Sequence, residues 1–422
     1  MEGRKIMKVE IICTGDEVLS GKIINSNFAH MSGKLEEAGL NVIWGTTVGD
    51  NKEDLLKSFH LASERADAVI VNGGLGPTVD DLSQEVAAIA SGNELELRQE
   101  WLEIMEKFFI KRGRVMTENN KKQAMLPKTS ELINNPIGTA CGFAVNIKKA
   151  RFFFTPGVPR ELFLMLQDEI IPRLLELSGE NIVTKLKTFH SYGIGESRAD
   201  TLLKNVVDLS PDKIVKLGFQ AHFPQLETKL SIRAGSLSEI EKNLKPVENK
   251  VRETLGNYIF AEDKNTLEGS IFELLKKNNK TISICEYLTW GNISKRISTI
   301  DKKGDHLKFS VSSNNLDALV DKLKLSKNKL SIELNEEITS KVRELYMTDL
   351  SLSVMINYQE ENEADTYITM SSANDMKSRV GKFIGDEHRI TLGSVEMALD
   401  CVRRYFANLP FDEKSDFEIA NL

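Results

Sequence analysis

Along the first 175 positions, short apolar runs alternate with longer stretches of helical spacing. Val9–Cys13, Asn41–Val48 and Ala68–Val71 are brief, apolar and closed by Gly, Asp or Asn, which predicts strands. Phe28–Ala38 and Glu53–Ser63 carry apolar residues every three or four positions. Leu82, Val86, Ile89 and Ala90 form one face of a further helix. This βαβαβα order predicts a parallel sheet with helices on both faces. Trp101–Lys111 reads as a helix and Phe143–Asn146 with Phe152–Thr155 as a pair of strands. Glu161–Leu175 reads as one helix after the break at Pro156-Gly157-Val158-Pro159. Ser178-Gly179-Glu180-Asn181 ends this first region.

From Val183 the pattern changes. Lys185–Tyr192 and Thr228–Ala234 look like strands, and Glu196–Val207 and Leu237–Leu255 like helices. A third region starts near Asp263, opens with a helix over Leu267–Lys277 and ends with another over Leu392–Phe406. An acidic tail follows and reads as frayed. The domain limits expected from these breaks are 7–177, 178–262 and 263–415, with a tail at 416–422. Met7, just before the first strand, marks Met1–Ile6 as a dispensable leader.

Composition adds limits. A chain of 422 residues suits two or three domains, and 41% hydrophobic with 28% charged residues is ordinary for a globular protein. A net charge of −7 argues against general nucleic-acid binding. No apolar stretch approaches the roughly 18 residues of a membrane span, and no signal-peptide core is present. Four cysteines, Cys13, Cys141, Cys285 and Cys401, form no C-x-x-C pair and sit in apolar stretches. They read as buried hydrophobes in a protein of the reducing cytoplasm.

The chemistry gathers in turns. Gly73-Gly74-Leu75-Gly76-Pro77-Thr78-Val79-Asp80-Asp81 follows the third strand. Its glycines let backbone amides approach a phosphate, and its two acids can hold the divalent cation a diphosphate needs. Thr14-Gly15-Asp16-Glu17 follows the first strand and Gly49-Asp50 the second. In an open parallel sheet these turns share one edge, so Asp16, Glu17, Asp50, Asp80 and Asp81 are expected to converge around a cation. A cap for the following helix is the competing explanation for Asp81. No Gly-Lys-Ser/Thr follows, so the loop is not a P-loop. The basic groups Lys111-Arg112, Arg114 and Lys121-Lys122 read as a solvated helix face, with facing the anion as the alternative.

Taken together, these segments resemble the CinA family (competence/damage-inducible protein A). They are Thr14–Glu17 with Gly21, Asn25, Ser26 and Asn27; Val48–Asn51; Gly73–Ser83; Pro136–Gly142; and Thr155–Pro159. Tyr192–Ser197, Leu217-Gly218-Phe219 and His222-Phe223-Pro224 resemble the family's KH-type middle domain. The resemblance implies an α/β protein with three parts: an open parallel-sheet, molybdopterin-binding-like N-terminal domain, a small KH-type domain, and a CinA-type C-terminal domain. It also implies metal-dependent hydrolysis of ADP-ribose to AMP and ribose 5-phosphate. Asp50 and Asp81 would then be metal ligands for Mg²⁺, Mn²⁺ or Co²⁺, and Asp80 a ligand or general base. The amides of Gly73, Gly74 and Gly76 with Thr78 and Ser83 would hold phosphate. Asp16, Glu17, Asn25, Asn27, Thr155 and Gly157 would complete the substrate cleft, and Gly138 and Gly142 would form turns. Rival readings are a non-catalytic pterin- or nucleotide-binding protein and molybdopterin adenylyl transfer.

Gly193-Ile194-Gly195-Glu196 lacks the GXXG spacing of a nucleic-acid clamp, so the middle region is expected to link or dimerise rather than bind nucleic acid. A homodimer through the second and third regions is expected. In the third region the resemblance breaks down. The family's nicotinamide-mononucleotide deamidase marker, Ala-Glu-Ser-Cys-Thr-Gly-Gly, corresponds to Cys285-Glu286-Tyr287-Leu288-Thr289-Trp290-Gly291. Tyr287 replaces the nucleophilic Ser and Trp290 a loop Gly. Phe309–Asn315 lacks the family's Tyr and Lys. Met355–Glu361 replaces a Gly-rich loop. A folded domain without deamidase activity is expected.

Overall fold

The computed structural model describes residues 7–179, 183–326, 329–360 and 362–418. The expected leader Met1–Ile6, Glu180 and Asn181 of the expected boundary turn, Glu361, and 419–422 of the tail lie outside these. The chain divides into two compact units, 1–185 and 186–422.

In the first unit, β1 (Lys8–Thr14), β2 (Asn41–Val48) and β3 (Ala68–Asn72) form a parallel core with β1 in the middle. Two short strands, β4 (Leu95–Leu97) and β5 (Met125–Pro127), pair separately. β6 (Glu131–Ile133), β7 (Gly142–Ile147) and β8 (Ala150–Thr155) extend the main sheet to the order β2-β1-β3-β8-β7-β6. β8 runs parallel to β3, whereas β7 and β6 are antiparallel additions, so the sheet is mixed. The tight Ile147–Ala150 turn forces that reversal, because two residues cannot make a parallel crossover. Every residue of β3 is buried, as a central strand covered on both faces requires.

The stretch read as a single helix over 161–175 is interrupted. Helices Pro159–Met165 and Ile171–Ser178 flank a π turn at Leu166–Ile170. Pro172 has no N–H to donate, and the ladder widens just before it. Glu10, in the middle of the apolar run of β1, is fully buried. Its carboxylate accepts from Arg65 Nε at 2.8 Å, Arg65 Nη2 at 2.6 Å and Thr46 Oγ1 at 2.9 Å. The Arg65 guanidinium also lies 4.5 Å from the Trp44 ring centre.

The second unit contains two sheets. β9 (Val183–Tyr192), β10 (Val215–His222), β11 (Gln225–Ala234) and β12 (Ile259–Glu262) form one in the order β10-β11-β9-β12. The helix Leu237–Leu255 lies where the sequence puts it, whereas the helix from Glu196 stops at Leu202 and a 3-10 turn follows at Val206–Leu209. β13 (Ile282–Tyr287), β14 (Leu307–Ser313), β15 (Leu350–Glu360), β16 (Glu363–Ser371) and β17 (Met376–Ile384) form the other sheet, ordered β14-β13-β15-β16-β17. Where the resemblance implies a Gly-rich loop, β15 simply continues, with Met355 opposite Tyr367 and Asn357 opposite Asp365.

The tail is not frayed up to Glu418. Phe411 is buried in the core, and Glu418 pairs with Arg379, both nearly fully buried. Arg404, itself held by the buried Asp400 at 2.5 Å, reaches Glu413 and the carbonyl of Pro410. Two acids of the tail, Glu413 and Glu418, are thus the counter-ions of buried arginines. All four cysteines are free and buried. Among the described residues no helix is long and apolar enough to cross a membrane.

Replacing Arg65 by Met strands the Glu10 carboxylate in the core. Because Arg65 is itself about one-third open to solvent, the expected loss is about 2 kcal/mol, short of the full cost for a deeply buried pair. Urea unfolding measures it, and Glu10→Gln in the Arg65→Met background should recover part of the loss.

Candidate active site

The carboxyl ends of β1, β2, β3 and β8 surround a cavity of about 400 Å³. Glu17, Asp50, Asp80, Asp81 and Glu161 line it, opposite Gly73–Pro77 and Pro156–Val158. Three acidic turns separated along the chain therefore do meet at one rim. Asp16 and Asp50 clasp each other. The Asp16 N–H donates to Asp50 Oδ2 and the Asp50 N–H to Asp16 Oδ1, both at 3.1 Å. Burial pushes the Asp50 carboxyl above its ordinary range. The Asp16 N–H opposes that shift, and the charges of Asp16, Glu17 and Asp80 add to it.

The glycine loop is held by close approach. Gly73 and Gly74 have φ of 113° and 68°, and a Cβ on either would come within 2.5 Å of Thr14 Oγ1 or Ser83 Oγ. The Gly73 N–H donates to the Thr155 carbonyl at 2.9 Å, and Ser83 Oγ donates to the Gly73 carbonyl at 2.8 Å. The N–H groups of Gly74, Leu75 and Gly76 donate to no protein acceptor among the described residues. Asp81 does not cap the helix Ser83–Ser91, whose N-cap is Leu82. Its carboxylate instead accepts from the Thr78 N–H at 2.8 Å and from the Thr78 hydroxyl, which closes the loop on itself. Asp80 is fully exposed. Its carboxyl is held below the usual range by the Thr78 hydroxyl first, then by its own backbone N–H and by Lys122.

Several expected contacts turn out to be supports. Ser83 and Thr155 are fully buried, off the cavity wall, with Thr155 Oγ1 donating to the Val71 carbonyl at 3.2 Å. Asn25 caps the helix Ser26–Glu37 by accepting from the Phe28 N–H at 3.0 Å. Asn27 Nδ2 bridges Asn72 Oδ1 at 2.9 Å and the Gly157 carbonyl at 2.8 Å. Thr78 gives its N–H to Asp81 and turns its hydroxyl to the loop's two acids, Asp81 and Asp80. Gly138 sits against Glu161 and Asn135, and Gly142 under Met165.

Sequence reasoning missed Thr14, Asn72, Gln123, Thr139 and Glu161. Asn72 is a buried amide at the end of β3, donating to the Pro156 carbonyl at 2.7 Å and to Thr155 Oγ1 at 3.1 Å. A polar residue closing an apolar run was its signal. Thr139 stands in the segment Pro136–Gly142, which gave no sign of which of its residues reach the cavity, and Gln123 had no signal, because it stands in no motif or periodic pattern.

The donor set suits a hard cation. Among the described residues, no three His, Cys, Asp or Glu side chains gather closely enough to hold a metal by themselves. Mg²⁺-type ions are ordinarily held by one or two carboxylates with substrate phosphates and water completing the shell. Asp50, with uncompensated acids around it, fits that pattern.

Residues 10–176 match the family described as "Probable molybdopterin binding domain" and residues 186–261 that described as "Damage-inducible protein CinA KH domain". A CinA-like protein of Geotalea uraniireducens (strain Rf4) is 31% identical over 422 residues, covering 97% of this chain and 100% of that one. The chain belongs to the CinA-like proteins. Another member, from Shewanella piezotolerans (strain WP3 / JCM 13877), is 40% identical over 295 residues, 69% of this chain and 67% of that one. The crystal structure of the protein CinA with unknown function from Thermoplasma acidophilum is 30% identical with a TM-score of 0.37. It covers 41% of this chain and 98% of that one.

In the KH-type domain of this family member, the loop at 193–196 is occupied by the chain itself. Gly195 N–H donates to Asp416 Oδ2 at 2.8 Å, Arg198 pairs with Asp416 Oδ1 at 2.7 Å, and Asp416 N–H donates to the Gly193 carbonyl at 3.0 Å. At the other former motif, Glu286 is fully buried and caps the helix Asn292–Ile300. It accepts from Ile293 N–H at 3.1 Å, Ser294 N–H at 3.0 Å and Thr289 Oγ1 at 2.6 Å. Tyr287 packs against the cluster of Cys285, Leu319 and Met355, and Trp290 stands in the left-handed region, mostly exposed.

The folded state disfavours the charged form of Asp50, so this group works against stability above the ordinary carboxylate range. The penalty fades as pH falls through its raised folded value. Asp50→Asn is therefore expected to raise the metal-free melting temperature at neutral pH, with the gain shrinking toward acid. A shift of equal size at every pH would contradict this origin.

Proposed function

We propose that the first unit hydrolyses the diphosphate of ADP-ribose to AMP and ribose 5-phosphate with a divalent cation. One observation carries the reading: the unpaired amides of Gly74–Gly76 open on the same cavity as four aspartate and glutamate side chains of the β1, β2 and β3 turns. Binding an anion alone does not call for carboxylates, which repel it. A cation among them reverses that sign.

The amides of Gly74, Leu75 and Gly76 hold phosphoryl oxygens without needing charge, and Gly157 leaves the opposite wall open. Asp50 and Asp81 hold the cation, which when bound offsets phosphoryl charge and lowers the pKa of water. Asp80, exposed and kept in its charged form, takes a proton from the attacking water or joins the ligands. Asp81 has a second duty, because its bond to Thr78 keeps the loop closed. The C-terminal domain is read as lacking deamidase activity. Phenolic Tyr287 is packed in an apolar cluster where a small hydroxyl nucleophile is needed, and Glu286 is spent on a helix cap. A pterin diphosphate as ligand is the second reading, favoured by the molybdopterin-binding description of residues 10–176.

Purified protein incubated with ADP-ribose and Mg²⁺, Mn²⁺ or Co²⁺ should release AMP. Asp81→Asn keeps an oxygen for Thr78 while removing the charge, so it should lower kcat by about 10²-fold or more with little loss of stability. Inert wild type with every metal, or full activity in the variant, would defeat the hydrolase reading. Nicotinamide mononucleotide should yield no ammonia from the full chain, and measurable release would restore a deamidase.

A further inference from the structure

The residues Lys121-Lys122 have the composition of a solvated helix face, yet their surroundings differ sharply. They belong to the 3-10 helix Glu118–Ala124, whose start is fixed by a capping box between Thr117 and Asn120. Lys121 turns away and pairs with Glu118 at 2.9 Å. Lys122 and Gln123 turn instead to the glycine loop. Lys122 Nζ donates to the Thr78 carbonyl, and Gln123 Nε2 to the Leu75 carbonyl at 3.3 Å. A trans peptide sets the carbonyl of one residue opposite the N–H of the next. By gripping Leu75 O, Gln123 therefore directs the Gly76 N–H away from itself, and that N–H is one of the three left without a protein acceptor.

Lys122 is half-buried and makes no ion pair with a carboxylate among the described residues. An ammonium has three donors, and one bond to a carbonyl leaves two open. It also stands near enough to Asp80 to add to the forces keeping that carboxyl charged, behind the larger effect of the Thr78 hydroxyl. A rim of five acids that must receive a multiply charged anion thus has the Lys122 ammonium beside its exposed Asp80.

We propose that Lys122 is a substrate-binding residue of this cavity, giving its free N–H donors to an oxygen of the bound diphosphate while staying anchored on Thr78, and that Gln123 is its positioning neighbour on the loop. The inference rests on the diphosphate reading of the cavity but not on turnover. Lys122 supplies a charge at a place set by the protein. A cation held by Asp50 and Asp81 would supply another to the same anion.

Binding of inorganic pyrophosphate with Mg²⁺ to the full chain, followed by calorimetry, tests this without catalysis. Lys122→Met should weaken pyrophosphate by roughly 10- to 100-fold, the range of a charge-assisted hydrogen bond. Lys122→Arg should recover most of that loss, and Lys121→Met should leave binding as in wild type. Gln123→Leu should raise KM for ADP-ribose more than it lowers kcat. Unchanged pyrophosphate affinity in Lys122→Met, or an equal loss in Lys121→Met, overturns the assignment, as does wild type that binds no pyrophosphate. If the chain binds pyrophosphate through Lys122 yet never cleaves ADP-ribose, the assignment stands and the hydrolase reading falls.

Discussion

Because β1, β2, β3 and β8 run parallel, their carboxyl ends share one edge, and whatever polar residues close those strands must face one another. The rest of the first unit follows from that constraint. Glu17, Asp50, Asp80 and Asp81, from three separate turns, line one cavity, and Asp16 is clasped to Asp50 off its wall. Such a concentration of like charge is unfavourable on its own, and Asp50 registers it in a carboxyl that is harder to ionise. The fold tolerates the repulsion because β1 and β3 are buried on both faces and pair along their whole length.

The loop at 73–81 and its supports form two layers. Directly on the cavity stand backbone amides and carboxylates. Behind them, Asn72, Thr155, Ser83 and Asn27 bond to one another and to main-chain carbonyls. A loop rich in glycine loses much entropy on ordering, and this buried network is what keeps it in one conformation. The second unit uses buried charge differently. Asp400, Glu413 and Glu418 neutralise Arg403, Arg404 and Arg379, and Asp416 closes the KH-type loop. Sites where the family resemblance puts a clamp and a nucleophile are here filled by the chain's own contacts.

The strand order of the first three βα units, the apolar face of each helix and the convergence of the acidic turns were legible from spacing, because periodicity and parallel topology are local and general. The π turn before Pro172 was not read, because helical periodicity concealed it, although a proline that cannot donate marks the place. Other features had no local signature. Glu10 stands inside an apolar strand, and only the approach of Arg65, at the end of the helix Lys52–Arg65, explains its burial. Ser83 and Thr155 share motifs with cavity-lining residues, and the direction of a side chain, unlike its type, depends on packing.

The sequence by itself determined the α/β architecture, the glycine loop and the acidic turns that close the parallel strands, because these follow from residue type, spacing and strand order. Only the tertiary structure decided which of those residues face the cavity and which stand behind it. It also decided that Asp81 closes the loop rather than capping a helix, that Lys122 and Gln123 grip it, and that the acidic tail is packed. The reason is physical. A residue's chemistry belongs to its own side chain, but its partners are set by elements folded against it from far along the chain.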